Sequence, residues 1–414
     1  MNHSKENFIK IRLELYKMIE ADVIDSLSQQ ELSEQLLKQV EQVTRDLSLP
    51  TTSSEKQRYV VDLVNELIGL GPLQELVDDK SISDIMVNGP EKIFIERNGK
   101  LELTDIRFID EIQLQTIAKR IAGMAGRRLD DSSPICDARL SDGSRVNMVL
   151  APLTLDGTSI SIRKFKDDKL NLTDLVNFGA LNEEMAKFLI VAAHCRLNIV
   201  ISGGTGAGKT TFLNALSDYI SDDERIITIE DAAELKLNKV HTLRMETRKA
   251  STEGTGEINQ NKLLINALRM RPDRIIIGEC RGPEAFEMLQ AMNTGHDGSM
   301  TTLHANSPRD AISRIENMVM MGQASLPHLA IKRNIVDAVD IIVQIKRLND
   351  GSRRVTSISE VVSLEGDVVV MEEYFALDLT KDLSQIDPNT SYITSPIPTR
   401  SAVKEKAGFF GIDF

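Results

Sequence analysis

Ser202-Gly203-Gly204-Thr205-Gly206-Ala207-Gly208-Lys209-Thr210-Thr211 stands between an apolar run at 197–201 and the stretch Phe212-Leu213-Asn214-Ala215-Leu216. Strand, glycine loop and helix in that order leave few folds open to the chain. The four glycines let backbone N–H groups turn inward, and the helix that follows adds a positive N-terminus for phosphate oxygens. Lys209 then reaches the β- and γ-phosphates, and the Thr210 hydroxyl ligates Mg²⁺. Gly203, Gly204, Thr205, Gly206, Ala207, Gly208, Lys209, Thr210 and Thr211 are therefore the expected nucleotide-binding residues. ATP and Mg²⁺ are the expected ligands.

Composition narrows what surrounds this loop. The chain has 414 residues, enough for two or three domains at roughly 100–200 residues each. Its apolar runs, such as 199–201 and 275–277, fall far short of the roughly 20 residues of a membrane span, and no signal peptide is expected. Cys136, Cys195 and Cys280 are scattered without metal or disulfide spacing, which suits a reducing cytosol. Asp and Glu outnumber Lys and Arg by 62 to 49, giving a net charge of −13 and arguing against a nucleic-acid coat.

Residues 1–55 read as a helical region, with Phe8, Ile11, Leu15, Met18 and Ile19, then Leu32, Leu36, Leu37 and Val40, at helical spacing. Pro50-Thr51-Thr52-Ser53-Ser54 reads as a linker. Residues 56–165 alternate helical stretches with short strands separated by Asn88-Gly89, Asn98-Gly99, Asp142-Gly143 and Asp156-Gly157, a mixed α/β domain. Arg127, Arg128, Arg139, Arg145 and Arg163 crowd its end. Lys166-Asp167-Asp168-Lys169 reads as a charged hinge. From 166 to 378 the order becomes β/α, with Asn182 capping a helix ahead of the loop, so a mostly parallel sheet is expected there. An antiparallel meander at 340–377 closes that domain. Residues 379–414 read as a polar, loosely packed tail.

In open α/β sheets ligands bind at the carboxyl ends of the strands. Glu230, Asp231 and Glu279 fall at such ends, as the glycine loop does. Glu279 closes the β-branched run 274–277, a Walker-B-like arrangement with Glu in place of Asp. A carboxylate there orients water or holds hydrated Mg²⁺, and both roles are open. Glu230 and Asp231 are candidates for the same chemistry, or cap the next turn. Asp231 joins Thr210 as a candidate metal ligand. His296 and His304 bracket a strand and are expected to sense the γ-phosphate or support a water. No third ligand shares their spacing, so zinc is not expected.

Further stretches complete a pattern: Leu70-Gly71-Pro72-Leu73, Asp84-Ile85-Met86-Val87-Asn88-Gly89, Asp137-Ala138-Arg139-Leu140-Ser141-Asp142-Gly143-Ser144-Arg145, Ser161-Ile162-Arg163-Lys164-Phe165 and Ile229-Glu230-Asp231-Ala232-Ala233-Glu234-Leu235. Ala267-Leu268-Arg269-Met270-Arg271-Pro272-Asp273-Arg274, Thr294-Gly295-His296-Asp297-Gly298-Ser299 and Thr302-Leu303-His304-Ala305-Asn306-Ser307-Pro308-Arg309 follow. Over residues 56–361 the chain resembles the secretion-superfamily ATPases of type II and type IV secretion and pilus assembly. Among them it is most similar to the CpaF-type ATPase of Flp/Tad pilus assembly.

The resemblance implies a RecA-like P-loop NTPase domain preceded by the mixed α/β domain. It implies that Glu279 is the catalytic carboxylate, that Glu230 belongs to an Asp-box and His304 to a His-box, and that Arg145 and Arg163 approach the phosphates when the domains close. It further implies a homohexamer on the cytoplasmic face of the inner membrane, bound to integral platform proteins. The expected activity is Mg²⁺-dependent ATP hydrolysis driving pilus assembly or protein secretion. A DNA-transfer ATPase and a nucleotide-gated scaffold are the rival readings.

Overall fold

In the computed structural model, residues 2–18, 27–97, 99–164, 170–248, 255–378 and 391–414 are described. The charged stretch 166–169, Asn98, and parts of the polar loop and tail lie outside them. The chain forms two compact units, Met1–Asp167 and Asp168–Phe414.

Among its described residues the first unit begins with three helices, α1 (Asn2–Met18), α2 (Gln29–Asp46) and α3 (Ser53–Ile68). Ser28 and Thr52 start α2 and α3 with reciprocal capping boxes to Glu31 and Glu55, satisfying amide groups that the first helical turn leaves open. Ile11, Leu15, Leu36, Val40, Tyr59 and Leu63 build a small core between the three. The boundary expected at residue 55 therefore moves. Thr52 is a cap rather than part of a linker, and α3 belongs to the helical bundle because its apolar face packs against α1 and α2.

A short 3₁₀ turn (Gly71–Leu73) and α4 (Gln74–Asp78) lead to six antiparallel strands, β1 (Ile82–Asn88), β2 (Ile93–Arg97), β3 (Lys100–Leu103), β4 (Ile135–Arg139), β5 (Arg145–Val149) and β6 (Ser159–Arg163). Their order is β3-β2-β1-β6-β5-β4, and α5 (Glu111–Met124) covers one face. The period of two puts Val146, Met148, Ile160 and Ile162 into that core. Arg145 and Arg163 are direct cross-strand partners, and Arg139 pairs Arg145 on the other side.

The second unit opens with α6 (Leu172–Asn177) and α7 (Glu183–His194), the latter capped by Asn182, whose Oδ1 accepts the Met185 N–H at 2.9 Å. Next come β7 (Ile199–Gly203), α8 (Lys209–Ser217), β8 (Ile226–Glu230), β9 (Thr242–Glu246), α9 (Gln260–Ala267), β10 (Arg274–Ile277) and α10 (Glu284–Asn293). The unit continues with β11 (Met300–Leu303), α11 (Pro308–Gly322), α12 (His328–Ala338), β12 (Ile341–Arg347), β13 (Arg353–Glu365), β14 (Val368–Leu377), β15 (Tyr392–Thr394) and α13 (Ala402–Phe409). One sheet holds all nine strands in the order β15-β14-β13-β12-β7-β11-β10-β8-β9. From β12 to β9 every pair is parallel; β13, β14 and β15 extend the sheet as an antiparallel meander. Helices cover both faces, so Ile199 and Ile201 enter one core and Val200 the other. This is a RecA-like α/β domain.

The loose tail expected beyond Asp378 is not what its described part forms. Tyr392 bonds the Val355 carbonyl at 2.7 Å, and α13 buries Val403 and Ala407 completely in the core beside α7. Lys406 ties the helix to Asp340 at 2.9 Å. The polar composition hid a sparse apolar face, and burying Val403 alone contributes about 1.5–3 kcal/mol. Among the described residues, no helix is long and apolar enough to cross a membrane.

Candidate active site

The glycine loop leaves β7 and closes on α8. Gly206 and Gly208 have φ of +70° and +94°, a region that favours glycine. Gly203 is constrained by space instead: a Cβ there would lie 2.5 Å from the Ile345 carbonyl oxygen of β12. Lys209, nearly buried, folds back so that Nζ donates to the Gly204 carbonyl at 3.1 Å. Burial lowers its affinity for a proton, partly offset by Glu279. The loop thus presents a concave backbone with a preset cation, which fits a polyphosphate.

β11 lies between β7 and β10, and its end brings His304 to the loop. His304 Nε2 stands 3.4 Å from Lys209 Nζ and 2.7 Å from Glu279 Oε1. Glu279, just past β10, accepts a bond on Oε2 from Arg281 at 2.7 Å. Burial opposes ionisation of Glu279, but Arg281, His304 and Lys209 together hold its carboxyl below the usual range. Burial and Lys209 lower His304 despite the adjacent carboxylate. The result is an ionised acid and a neutral imidazole beside the lysine, an arrangement able to hold and polarise a water near a terminal phosphate.

Glu230 ends β8 and is almost fully buried. Its Oε1 accepts the N–H groups of Glu234 and Leu235 at 2.8 and 2.9 Å, while no hydrogen-bond partner meets its buried Oε2. Burial raises its carboxyl above the usual range. Its Cγ is 2.8 Å from where a Cβ on Gly278 would stand, so it supports the turn that carries Glu279 from behind.

Two expected members take other places: Asp231 at the far side of the cluster and His296 away from it. Asp231 follows β8, three strands from β7, about 14 Å at roughly 4.8 Å per strand. It faces Arg281 at 3.8 Å and takes a bond from Thr247 rather than joining Thr210. His296 precedes β11, at the opposite edge of the sheet from the loop, where its Nδ1 lies 3.3 Å from the Ala291 carbonyl. A strand between two histidines puts them at its two ends. Among the described residues, no cluster of three or more His, Cys, Asp or Glu suits a metal. Mg²⁺ at a P-loop needs few protein ligands, since phosphates and waters supply the rest, so the half-buried Thr210 in the first turn of α8 fits that role without Asp231.

Arg145 and Arg163 lie side by side on the sheet of the first unit. Sequence reading missed Arg281, which only its place two residues past Glu279 could have signalled. It also missed Arg353, whose Nε donates to the Gly206 carbonyl at 2.9 Å from the β12–β13 hairpin.

Residues 66–373 match the family described as "Type II/IV secretion system protein". The chain belongs to that family. A "putative conjugal transfer protein" of Mycobacterium tuberculosis is 36% identical over 320 residues, covering 76% of this chain and 90% of the relative. The type IV secretion system protein VirB11 of Bartonella quintana is 32% identical over 331 residues, covering 70% and 92%. The structure of the pilus retraction motor PilT with bound ADP shares the fold, at 18% identity and a TM-score of 0.50, covering 81% of this chain and 87% of that one. The chain is accordingly a secretion-superfamily ATPase by family, and the loop–His304–Glu279 cluster lies within the matched span.

Proposed function

We propose that the chain is a Mg²⁺-dependent ATPase motor that converts hydrolysis into domain motion for pilus assembly of the Flp/Tad type or for protein secretion. The observation that carries this reading is the contact of His304 with both Glu279 and Lys209 at the mouth of the loop. A chain that only bound nucleotide would not need an ionised carboxylate held beside the lysine from two strands away.

Lys209 and the loop amides bind the phosphates. Mg²⁺, when bound, offsets phosphate charge, and Thr210 would hold it. Glu279 takes the proton of the attacking water, with Arg281 and His304 fixing its orientation and Glu230 bracing the turn behind it. Arg145 and Arg163 supply positive charge as negative charge develops on the transferred group, so that the position of their domain follows the phosphate state. In this reading the motor is a homohexamer at the cytoplasmic face of the inner membrane, working on integral platform proteins.

The name of the mycobacterial relative favours a second reading, a type IV secretion ATPase for DNA or protein transfer. The acidic balance of the chain weighs against direct handling of nucleic acid. Phosphate release by the purified chain, with Mg²⁺ and with EDTA, tests the enzyme. The parent should turn over ATP only with Mg²⁺, and Lys209→Ala should not. Equal rates for the two would contradict the reading. Stimulation by membranes carrying the platform proteins, and not by DNA, separates the first reading from the second.

A further inference from the structure

Arg347 ends β12 and Arg353 opens β13, and the two pair directly across the hairpin. Both are exposed, and among the described residues neither meets a carboxylate. Like charges placed directly opposite are unfavourable, so the pair suits an anion between or before them.

The hairpin tip reaches the glycine loop. Arg353 Nε holds the Gly206 carbonyl at 2.9 Å, and its Cδ lies 3.1 Å from where a Cβ on Gly208 would stand. An Nη of Arg347 is 4.0 Å from the corresponding point on Gly206. With Nε engaged, Arg353 keeps both Nη groups for a ligand.

The two sides of β7 differ. β11 and β10 flank it on one side with His304 and Glu279, where Lys209 points; β12 flanks it on the other. A polyphosphate laid along the loop with its terminal phosphate toward Lys209 and His304 turns its α-phosphate toward the hairpin.

We propose that Arg347 and Arg353 form a second cationic clamp on the nucleotide, gripping the α-phosphate that ADP and ATP share. Arg353 also ties the hairpin to the loop through Gly206. This rests on the reading that the loop binds a nucleoside triphosphate.

Calorimetric titration of the full chain with ADP and with ATP tests the clamp. Arg347→Gln/Arg353→Gln should weaken both ligands by the same factor, about tenfold or more, the usual scale for charge-assisted bonds. Without nucleotide, Arg347→Gln alone should melt with the parent and the double variant should melt lower by no more than the one lost Arg353–Gly206 hydrogen bond accounts for, while Arg353→Lys in an otherwise unchanged chain should lose less affinity than Arg353→Gln. Parent-like ADP affinity in the double variant would overturn the clamp alone. Loss of ATP binding with ADP binding intact would overturn the α-phosphate assignment. A parent chain binding neither nucleotide would overturn the nucleotide reading and the clamp with it.

Discussion

The carboxylate of Glu279 and the imidazole of His304 meet at 2.7 Å, and the same ring nitrogen faces Lys209 at 3.4 Å. A proton on that nitrogen gains from the acid and loses against the lysine. Burial and Lys209 win, keeping His304 below its ordinary value of 6.5. The unfolded chain therefore takes up this proton first as pH falls. The stability His304 contributes is present above 6.5 and is lost as pH falls toward its folded value. Urea midpoints measured between about pH 7.5 and 5.5, above the range where Glu279 titrates, should fall more steeply for the parent than for His304→Gln. Parallel curves would contradict this.

Gly203 and Gly204 are neighbours with opposite tolerance. An alanine at 203 meets the Ile345 carbonyl, whereas nothing lies within 4 Å of a Cβ at 204. Backbone cannot yield as a side-chain end can. Gly203→Ala should lower the stability of the nucleotide-free chain by roughly 1–3 kcal/mol, and Gly204→Ala should leave it nearly unchanged. Thermal denaturation without ligand compares the two.

Arg274 is wholly buried at the edge of the sheet remote from the loop. It bonds Glu224 through Nε at 2.6 Å and Nη2 at 2.7 Å, and the Ala193 carbonyl through Nη1 at 2.6 Å. Arg274→Met leaves the buried Glu224 carboxylate with only Arg196, at 3.2 Å, as a cationic partner and should cost up to about 3–5 kcal/mol. Glu224→Leu added to it should recover much of that loss. Denaturant titration monitored in the second unit reads both.

Much of the second unit was legible because glycine, asparagine and β-branched runs punctuate it, and the helix Glu183–His194 runs as its Asn182 cap implied. What stayed hidden is non-local. Arg353 finds Gly206 across 147 residues of chain, and an arginine beside a turn looks like a solvated one until the sheet pairs. His296 and His304 look like one cluster in sequence, yet β11 runs between them and puts them towards its two ends. Asp231 looked equivalent to Glu230, but alternation along β8 buries Glu230 and turns its neighbour toward Arg281. In the tail, buried Val403 and Ala407, with Lys406 on Asp340, dock a helix that composition marks as polar.

In the proposed mechanism Glu279 serves the chemical step and not the binding of nucleotide. Parallel measurement of ATP affinity and steady-state phosphate release by Glu279→Gln tests it most directly. Removing a general base typically costs 10²–10⁴-fold in rate, so the variant should bind ATP as tightly as the parent while its turnover falls by at least about a hundredfold. Hydrolysis by Glu279→Gln at the parent's rate would rule Glu279 out as the general base.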